Sequence, residues 1–332
     1  MNKQGMRTIT ISVQEADALT FQADVLALKH AQALYGVDED VVNILSVKGQ
    51  QFLGIIPPSA FKIFYTKNRM GVRKVLFLGV KPLRQFGYPE IREFGRRVLT
   101  SLAGAMPDAK HISLTIHGPG FGLDEIESFE AELAGLLDAI SSGDFPEELQ
   151  NITFIERNQG RADRLIKSLN QLIPNNTVFL DNKGNIGSLG EKSSEQLRSV
   201  GYISSSKPNI FVAMPFSEDM DDLFHYGIQG AVNVAGFLCE RADLSTFTGD
   251  VMEWVKKRIS TSSLVIADLS KANPNVYLEV GYAWGCNKPT VLLVKDTNEL
   301  KFDVQGQRCI KYKNIKNLEE SLTKELSSLK IS

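Results

Sequence analysis

The strongest constraint on this chain is a rhythm near its C-terminal end. Five short apolar runs, Asn209–Met214, Gly236–Glu240, Leu264–Asp268, Pro289–Val294 and Arg308–Tyr312, are read as strands. The third, LVIAD, is continuous in apolar residues, as a strand covered on both faces must be. Helical periods fill the gaps, at Asp219–Ala235 and at Asp250–Ile259, where Val251, Trp254, Val255 and Ile259 share one face. Asn273-Pro274 predicts a third helix start, because Asn caps free backbone N–H groups and Pro suits the first helical position. A charged helix closes the chain from Ile315. The order βαβαβαββα predicts an open, doubly wound, mostly parallel sheet.

The first half alternates less regularly. Strands are expected at Arg7–Val13, Asp24–Leu28, Phe61–Tyr65, Lys74–Val80, His111–Ile116 and Asn151–Ile155. Helices are expected at Tyr88–Ala105, Ile126–Ser141 and Arg161–Leu172. From Pro174 to Lys207 turn-formers dominate, with only brief apolar runs, which predicts a connector with a small hairpin around Val178–Ile186. The expected organisation is therefore an α/β domain over 1–173, a linker over 174–207 and a second α/β domain over 208–332.

Composition excludes several classes. With 37 basic and 39 acidic side chains the net charge is −2, which gives no global pull toward nucleic acid or an anionic membrane. No signal-peptide core or membrane-length apolar stretch is present, so a cytoplasmic location is expected. Cys239, Cys286 and Cys309 are widely spaced, in no metal-ligand pattern, and are expected to be buried by packing.

In doubly wound sheets ligands bind beyond the carboxyl ends of the strands. Four loops of the second domain lie there: Met214-Pro215-Phe216-Ser217, Arg241-Ala242-Asp243, Asp268-Leu269-Ser270 and the one that follows Val294. On the helix that follows, Asn275 and Glu279 are four apart and Tyr282 three further on, hence on one face. A carboxylate among Val276, Leu278, Val280 and Ala283 is unusual, although a half-exposed, ion-paired glutamate would fit the local pattern. Asp268 reads as a second acid or as a loop-bracing aspartate. Ser217 and the Met214–Ser217 backbone are candidates for ribose or phosphate, Arg241 for phosphate and Asp243 for ribose hydroxyls, and either of the last two fits a structural ion pair equally well. Tyr282 is a candidate to stack on a base, Trp284 is expected in the core rather than in such a stack, and His225 in a packing or surface role.

IFVAMPF, Arg241-Ala242-Asp243 and LVIADLSKANPNVYLEVGYAWGCNKPTVLLV resemble the superfamily of TIR domains and nucleoside 2-deoxyribosyltransferases. The closing Phe302-Asp303-Val304, Arg308, Ile310 and Tyr312 resemble the end of the same domain, a flavodoxin-like sheet. The resemblance runs from about Pro208 to Tyr312 and includes the signature N-P-N-V-Y-x-E-x-G-Y-A. It implies that Glu279 is the catalytic carboxylate in cleaving an N-glycosidic bond. Such cleavage passes through an oxocarbenium-like state that a carboxylate stabilises or traps. Nicotinamide leaves NAD+ as a neutral molecule from a cationic ring, so one carboxylate suffices. A nucleobase usually needs protonation, for which Asp268 is the candidate.

Ala23–Leu28, Lys74–Val80 and a long helix with Gly95 resemble the macro-like N-terminal domain of leucine aminopeptidases, over about residues 7–172. The loop His117-Gly118-Pro119-Gly120-Phe121-Gly122 sits where macro domains cradle a diphosphate; the resemblance makes His117, Gly118, Gly120 and Gly122 a candidate regulatory ligand loop, while the residues alone fit a plain turn. Lys29-His30-Ala31-Gln32 stands where ADP-ribose-binding macro domains have an asparagine-rich stretch, and no metal-binding peptidase domain follows.

Together these resemblances imply a macro-like sensor joined to a TIR-like enzyme that hydrolyses or cyclises NAD+, as a bacterial antiviral-defence effector or signal producer. NAD+ is then a substrate, with no cofactor or metal. The implied partners are a nucleotide substrate, a nucleotide or protein activator at the first domain, and further copies of the chain in a homo-oligomer. The alternatives are a nucleoside or nucleotide N-glycosidase or 2-deoxyribosyltransferase, and a non-catalytic nucleotide-binding sensor or scaffold.

Overall fold

The computed structural model describes residues 7–32, 34, 36–46, 54–82, 85–180, 186–187, 189–215, 217–241, 251–301, 304 and 306–329. The chain divides into two compact units, Met1–Pro119 with Glu125–Ser205, and Gly120–Asp124 with Ser206–Ser332.

The first unit contains β1 (Arg7–Glu15), β2 (Val25–His30), α1 (Val37–Leu45), β3 (Phe61–Tyr65), β4 (Lys74–Gly79), α2 (Tyr88–Ala105) and β5 (His111–Leu114). It continues with α3 (Glu125–Ser142), β6 (Asn151–Glu156), α4 (Gln159–Leu172), β7 (Thr177–Leu180) and α5 (Glu191–Ser199). Seven strands form one sheet in the order β3-β4-β2-β5-β6-β1-β7. Strands β4, β2, β5, β6 and β1 are mutually parallel, while β3 and β7 run antiparallel at the edges. The chain leaves β2 toward β4 and leaves β5 toward β6, so the connections diverge between β2 and β5.

Helices α2 and α3 cross at two glycines. A Cβ on Gly135 would lie 1.9 Å from the Arg92 carbonyl oxygen, and one on Gly95 would lie 2.2 Å from that of Glu132. Neither position admits a side chain at this separation. The contact sets the position of Glu132, which is completely buried.

Two expectations need correction here. The stretch over 174–207 is not a bare linker: β7 pairs antiparallel with β1, and α5 buries Leu197. Arg92 holds this region by donating to the carbonyl oxygens of Leu197 at 2.8 Å and Val200 at 2.5 Å. Of the hairpin expected around Val178–Ile186, an antiparallel bridge between Leu180 and Ile186 and a hydrogen bond from the Gly187 N–H to the Phe179 carbonyl at 2.9 Å are present, and positions 181–185 fall outside the described residues. Helix α1 is also present where none was expected.

The second unit follows the predicted order closely. It runs β8 (Asn209–Ala213), α6 (Glu218–Asp222), a π turn (Leu223–Gln229), α7 (Gly230–Val234) and β9 (Leu238–Glu240). Then come α8 (Val251–Thr261), β10 (Leu264–Asp268), α9 (Pro274–Gly285), β11 (Thr290–Val294), β12 (Cys309–Lys311) and α10 (Ile315–Ser328). All five strands are parallel, in the order β12-β11-β10-β8-β9, a flavodoxin-like sheet.

Alternate strand residues feed two separate cores. Ile210, Val212 and Ile266 pack with the α6–α7 run and α10, through Leu223, Ile228, Leu318 and Leu322. Phe211, Ala213, Val265 and Ala267 pack on the other face against α8 and α9, through Val255, Ile259, Val276 and Val280. Helices on both faces are what the continuous apolar runs required. Because β8 leads to β9 on one side and β10 leads to β11 on the other, the crevice between β8 and β10 is the topological switch point.

Among the described residues no helix is long and apolar enough to cross a membrane. Of the cysteines, Cys239 is buried, whereas Cys286 and Cys309 are only half-buried because they lie at a helix end and on an edge strand.

Candidate functional site

The site is built on the turn from β10 into α9. Asn273 caps α9, its side chain accepting from the Asn275 N–H at 2.9 Å, and Pro274 takes the first helical position. Val276, Val280 and Ala283 recur on the helix face turned to the sheet, and Glu279 falls beside them. The same periodicity that folds α9 therefore carries a carboxylate inward. Glu279 is 9% exposed. Among the described residues its carboxylate has no hydrogen-bond or ion-pair partner. Burial alone pushes its pKa from 4.5 up to about 7, because desolvation disfavours the charged form.

Asp268 behaves differently. It is fully buried, and both carboxylate oxygens are engaged: Oδ1 accepts from the Ser270 N–H at 2.8 Å and Oδ2 from the Tyr312 hydroxyl at 2.6 Å. Ser270 Oγ lies 3.2 Å from the same hydroxyl and accepts from the Lys295 N–H at 3.0 Å. Burial raises the Asp268 pKa against the opposing pull of these hydrogen bonds. This is the geometry of a brace tying the ends of β10, β11 and β12 together. Asp268 and Glu279 are not hydrogen-bonded to each other.

The braced turn is strained. Lys271 and Ala272 follow one another at φ 68° and 45°, in the left-handed region that costs an L-residue roughly 1–2 kcal/mol each. The turn brings the Lys271 Nζ to 3.4 Å from Ser217 Oγ, so the loops after β8 and β10 meet across the switch point.

The other expected residues are placed as follows. Met214 and Pro215 are buried, and Ser217 is half-buried. Arg241 sits over the Phe224 ring at 4.1 Å, donates to Asp221 at 3.1 Å and lies 3.8 Å from Met214 Sδ. Asn275 is exposed at the start of α9, and Tyr282 is half-buried with the Lys256 ammonium 5.8 Å from its ring centroid. Phe216, Asp243, Phe302 and Asp303 lie outside the described residues. Trp284, expected in the core, is 37% exposed, since it points away from the face that carries Val280 and Ala283. His225 pairs with Gln229 within the π turn at 2.9 Å. Tyr312 and Ser270 are the residues sequence reasoning did not assign. Their only signal was a tyrosine at the end of the last strand.

The expected ligand loop of the first half is divided between the units. His117 and Gly118 belong to the first, Gly120 and Gly122 to the second. His117 is buried, its backbone N–H donating to Glu132 Oε2 at 3.1 Å and its Nδ1 lying 3.2 Å from both carboxylate oxygens. Gly122 has φ +80°, and a Cβ there would lie 2.6 Å from the Trp254 ring, so packing within the second unit already requires a glycine. Among the described residues no group of three or more His, Cys, Asp or Glu side chains is placed to hold a metal ion.

No known protein family and no curated protein matches the chain. Among solved structures it is similar to a macrodomain of Oceanobacillus iheyensis with ADP, at 13% identity and a TM-score of 0.39, covering 51% of this chain and 98% of that one. A mutant of the same macrodomain with ADPR gives 12% identity and a TM-score of 0.37, covering 50% and 98%. A tomato leucine aminopeptidase mutant gives 10% identity and a TM-score of 0.36, covering 89% of this chain and 84% of that one. Scores at this level carry no argument about what this chain binds.

Proposed function

We propose that the second unit binds a nucleoside or nucleotide at the β8/β10 crevice and cleaves its N-glycosidic bond, with Glu279 as the catalytic carboxylate. The observation that carries this reading is the state of Glu279, buried yet unpartnered among the described residues, with its pKa near 7. A desolvated carboxylate without a counter-charge is a poor structural element. It becomes favourable when positive charge develops beside it, as on a ribosyl carbon losing its leaving group. Binding a cationic substrate would itself draw the Glu279 pKa down and ionise the group when it is needed.

The leaving group follows from Asp268. With both oxygens held by Ser270 and Tyr312, Asp268 acts as a positioning residue and is not free to protonate a departing base. A leaving group that departs neutral without protonation, such as nicotinamide from NAD+, suits one carboxylate best. A nucleobase substrate would require Glu279 itself, half-protonated near pH 7, to supply the proton. Binding without turnover is the competing reading, and the engaged Asp268 is the feature that favours it.

The test is release of nicotinamide and of free bases by the purified chain, from NAD+ and from a panel of nucleosides and nucleotides, beside Glu279→Gln. Glu279-dependent nicotinamide release supports the NAD+ reading, and Glu279-dependent base release moves the assignment to a nucleoside or nucleotide glycosidase. Tight binding with no release from any substrate refutes catalysis. A role in antiviral defence is a separate proposal, tested by whether phage challenge alters NAD+ and nucleotide pools in cells expressing the wild type and not the variant.

A further inference from the structure

The charge of this chain is unevenly placed. Between Val41 and Pro89 the sequence has eight basic side chains and no Asp or Glu, which the overall charge of −2 conceals. The basic residues from Lys62 to Lys74 lie on β3, β4 and the turn that joins them, at one edge of the seven-stranded sheet. Lys62, Lys67, Arg69 and Arg73 are exposed there, and among the described residues no carboxylate pairs with any of them. Arg69 donates to the carbonyl oxygens of Ile44 and Leu45. Arg97 of α2 donates to those of Pro58, Gly79 and Ala60, so it too is held by carbonyls rather than by an acid.

Two hollows flank this edge, and both contain acids. Asp24, Asp108 and Glu148 share one with Arg73 and Lys74. Glu148 pairs there with Lys110 at 3.1 Å, and Asp24 accepts from the N–H groups of Lys110 and His111. Glu93 lines the other and is held by Arg96 through two hydrogen bonds, at 2.7 and 2.8 Å. The surplus positive charge therefore lies along Phe61–Arg69. Two aromatic rings stand in the same stretch. Phe61 and Tyr65 are four apart on β3, hence on one face and about 14 Å from each other along the strand. They are 41% and 68% exposed, and the Lys74 ammonium lies 5.1 Å from the Tyr65 ring centroid. The hollow beside Phe61 measures about 490 Å³ and is lined also by Ser59, Arg97 and Thr100. Lys62, between the rings in sequence, falls on the opposite face, so rings and cations border the outer edge of β3 from both sides. Among the described residues no strand pairs with that edge.

Exposed rings interleaved with unpaired cations fit a polyanion that also carries flat apolar faces. An acidic peptide fits less well, because adding it as a strand needs the backbone edge of β3, which a lysine on an edge strand protects. We infer that the β3 edge of the first unit binds single-stranded nucleic acid without regard to sequence, its bases stacking on Phe61 and Tyr65 and its phosphates following Lys62, Lys67 and Arg69. This inference is independent of the role of Glu279.

The test is fluorescence anisotropy of a labelled oligo(dT) of about twelve nucleotides titrated with the full-length chain. Saturable binding is expected, weakening roughly twentyfold between about 50 and 200 mM salt, the slope for three neutralised phosphates on a single strand. Lys62→Glu with Lys67→Glu should weaken it by at least about tenfold, and the milder Lys62→Gln with Lys67→Gln by a smaller factor, which guards against a folding defect. Tyr65→Ala removes an exposed ring and should cost about fivefold or more. The control is Lys167→Glu with Lys192→Glu, exposed residues of α4 and α5. Helix α4 packs on β1, toward the opposite edge of the same sheet, and this pair should change the affinity by less than about twofold. An equal loss in the control pair would reduce the effect to net charge and overturn the inference. Competition by poly-glutamate as strong as by oligo(dT), with no effect of Tyr65→Ala, would assign the edge to an acidic protein segment instead. No binding at about 50 mM salt would leave a solvated basic edge and overturn the inference as well.

Discussion

Helix α3 and helix α9 both bury glutamates, and they do so in opposite ways. In α3, Glu125, Glu127, Glu130 and Glu132 all lie inside the first unit, and each has found partners. Glu125 receives Arg161 at 2.8 Å and Arg164 at 2.7 Å, Glu127 receives Ser204, Glu130 receives Ser168 at 3.1 Å and Gln196 at 2.6 Å, and Glu132 meets His117. In α9, Glu279 is buried to a similar degree with no such partner among the described residues. Burial of a carboxylate therefore does not by itself identify a working group. Burial without a compensating partner among the described residues points to one, because an uncompensated carboxylate lowers stability.

The contrast can be broken most sharply at Glu279. Glu279→Gln should reduce N-glycosidic turnover by about a thousandfold or more while leaving the fold intact, read by initial rates and a thermal midpoint on the same sample. A variant that unfolds would place Glu279 with the α3 glutamates after all.

The next effect is a pH dependence whose sign follows from the raised pKa. The folded protein keeps a proton on Glu279 up to about pH 7, while the unfolded chain releases it near pH 4.5. Stability from this group is thus fully present below pH 4.5 and is lost as pH rises through about 7. The loss is on the order of 3 kcal/mol, from the shift at about 1.4 kcal/mol per unit. Glu279→Gln lacks this loss, so denaturant unfolding should show the variant gaining on the wild type between pH 5 and pH 8. Equal slopes would contradict the assignment.

Glu125→Gln should show the opposite behaviour. It leaves Arg161 and Arg164 without their counter-charge and should destabilise the first unit by about 2 kcal/mol at pH 7, a value reduced by the partial exposure of Arg161. Chemical denaturation checks it. A smaller effect, about 1–2 kcal/mol, is expected for Tyr312→Phe, which removes one hydrogen bond from the buried Asp268. If Asp268 is a brace, turnover by this variant should fall equally for nicotinamide and nucleobase substrates. A selective loss on nucleobase substrates would restore Asp268 as an acid.

The same comparison explains what could be read in advance. Continuous apolar runs such as LVIAD and NIFVAM announce strands because burial on both faces leaves no room for polar residues, and the second sheet followed directly. The segment EIESFEAELAG of α3 reads as a helix, but its glutamates look like a solvent face. Only partners supplied from Arg161, Arg164, Ser168, Gln196 and Ser204, far along the chain, make them internal. Turn-formers between 174 and 207 likewise concealed β7 and α5, whose stability comes from pairing with β1 and from Arg92 rather than from local pattern. At the site, Glu279 was legible because a lone carboxylate interrupts an apolar helix. For Asp268 the sequence left two readings open, an acid or a loop brace, since the Tyr312 hydroxyl that engages it arrives 44 positions later.

The central claim is that Glu279, a carboxylate with no partner among the described residues, does chemistry in its ionised form. It is tested most directly by kcat/KM for nicotinamide release from NAD+ across pH 5–9, wild type beside Glu279→Gln. The account predicts a wild-type rate that rises with pH through a midpoint near 7 and a variant rate close to zero throughout. Release that is independent of pH in this range, or that survives in the variant, would contradict it.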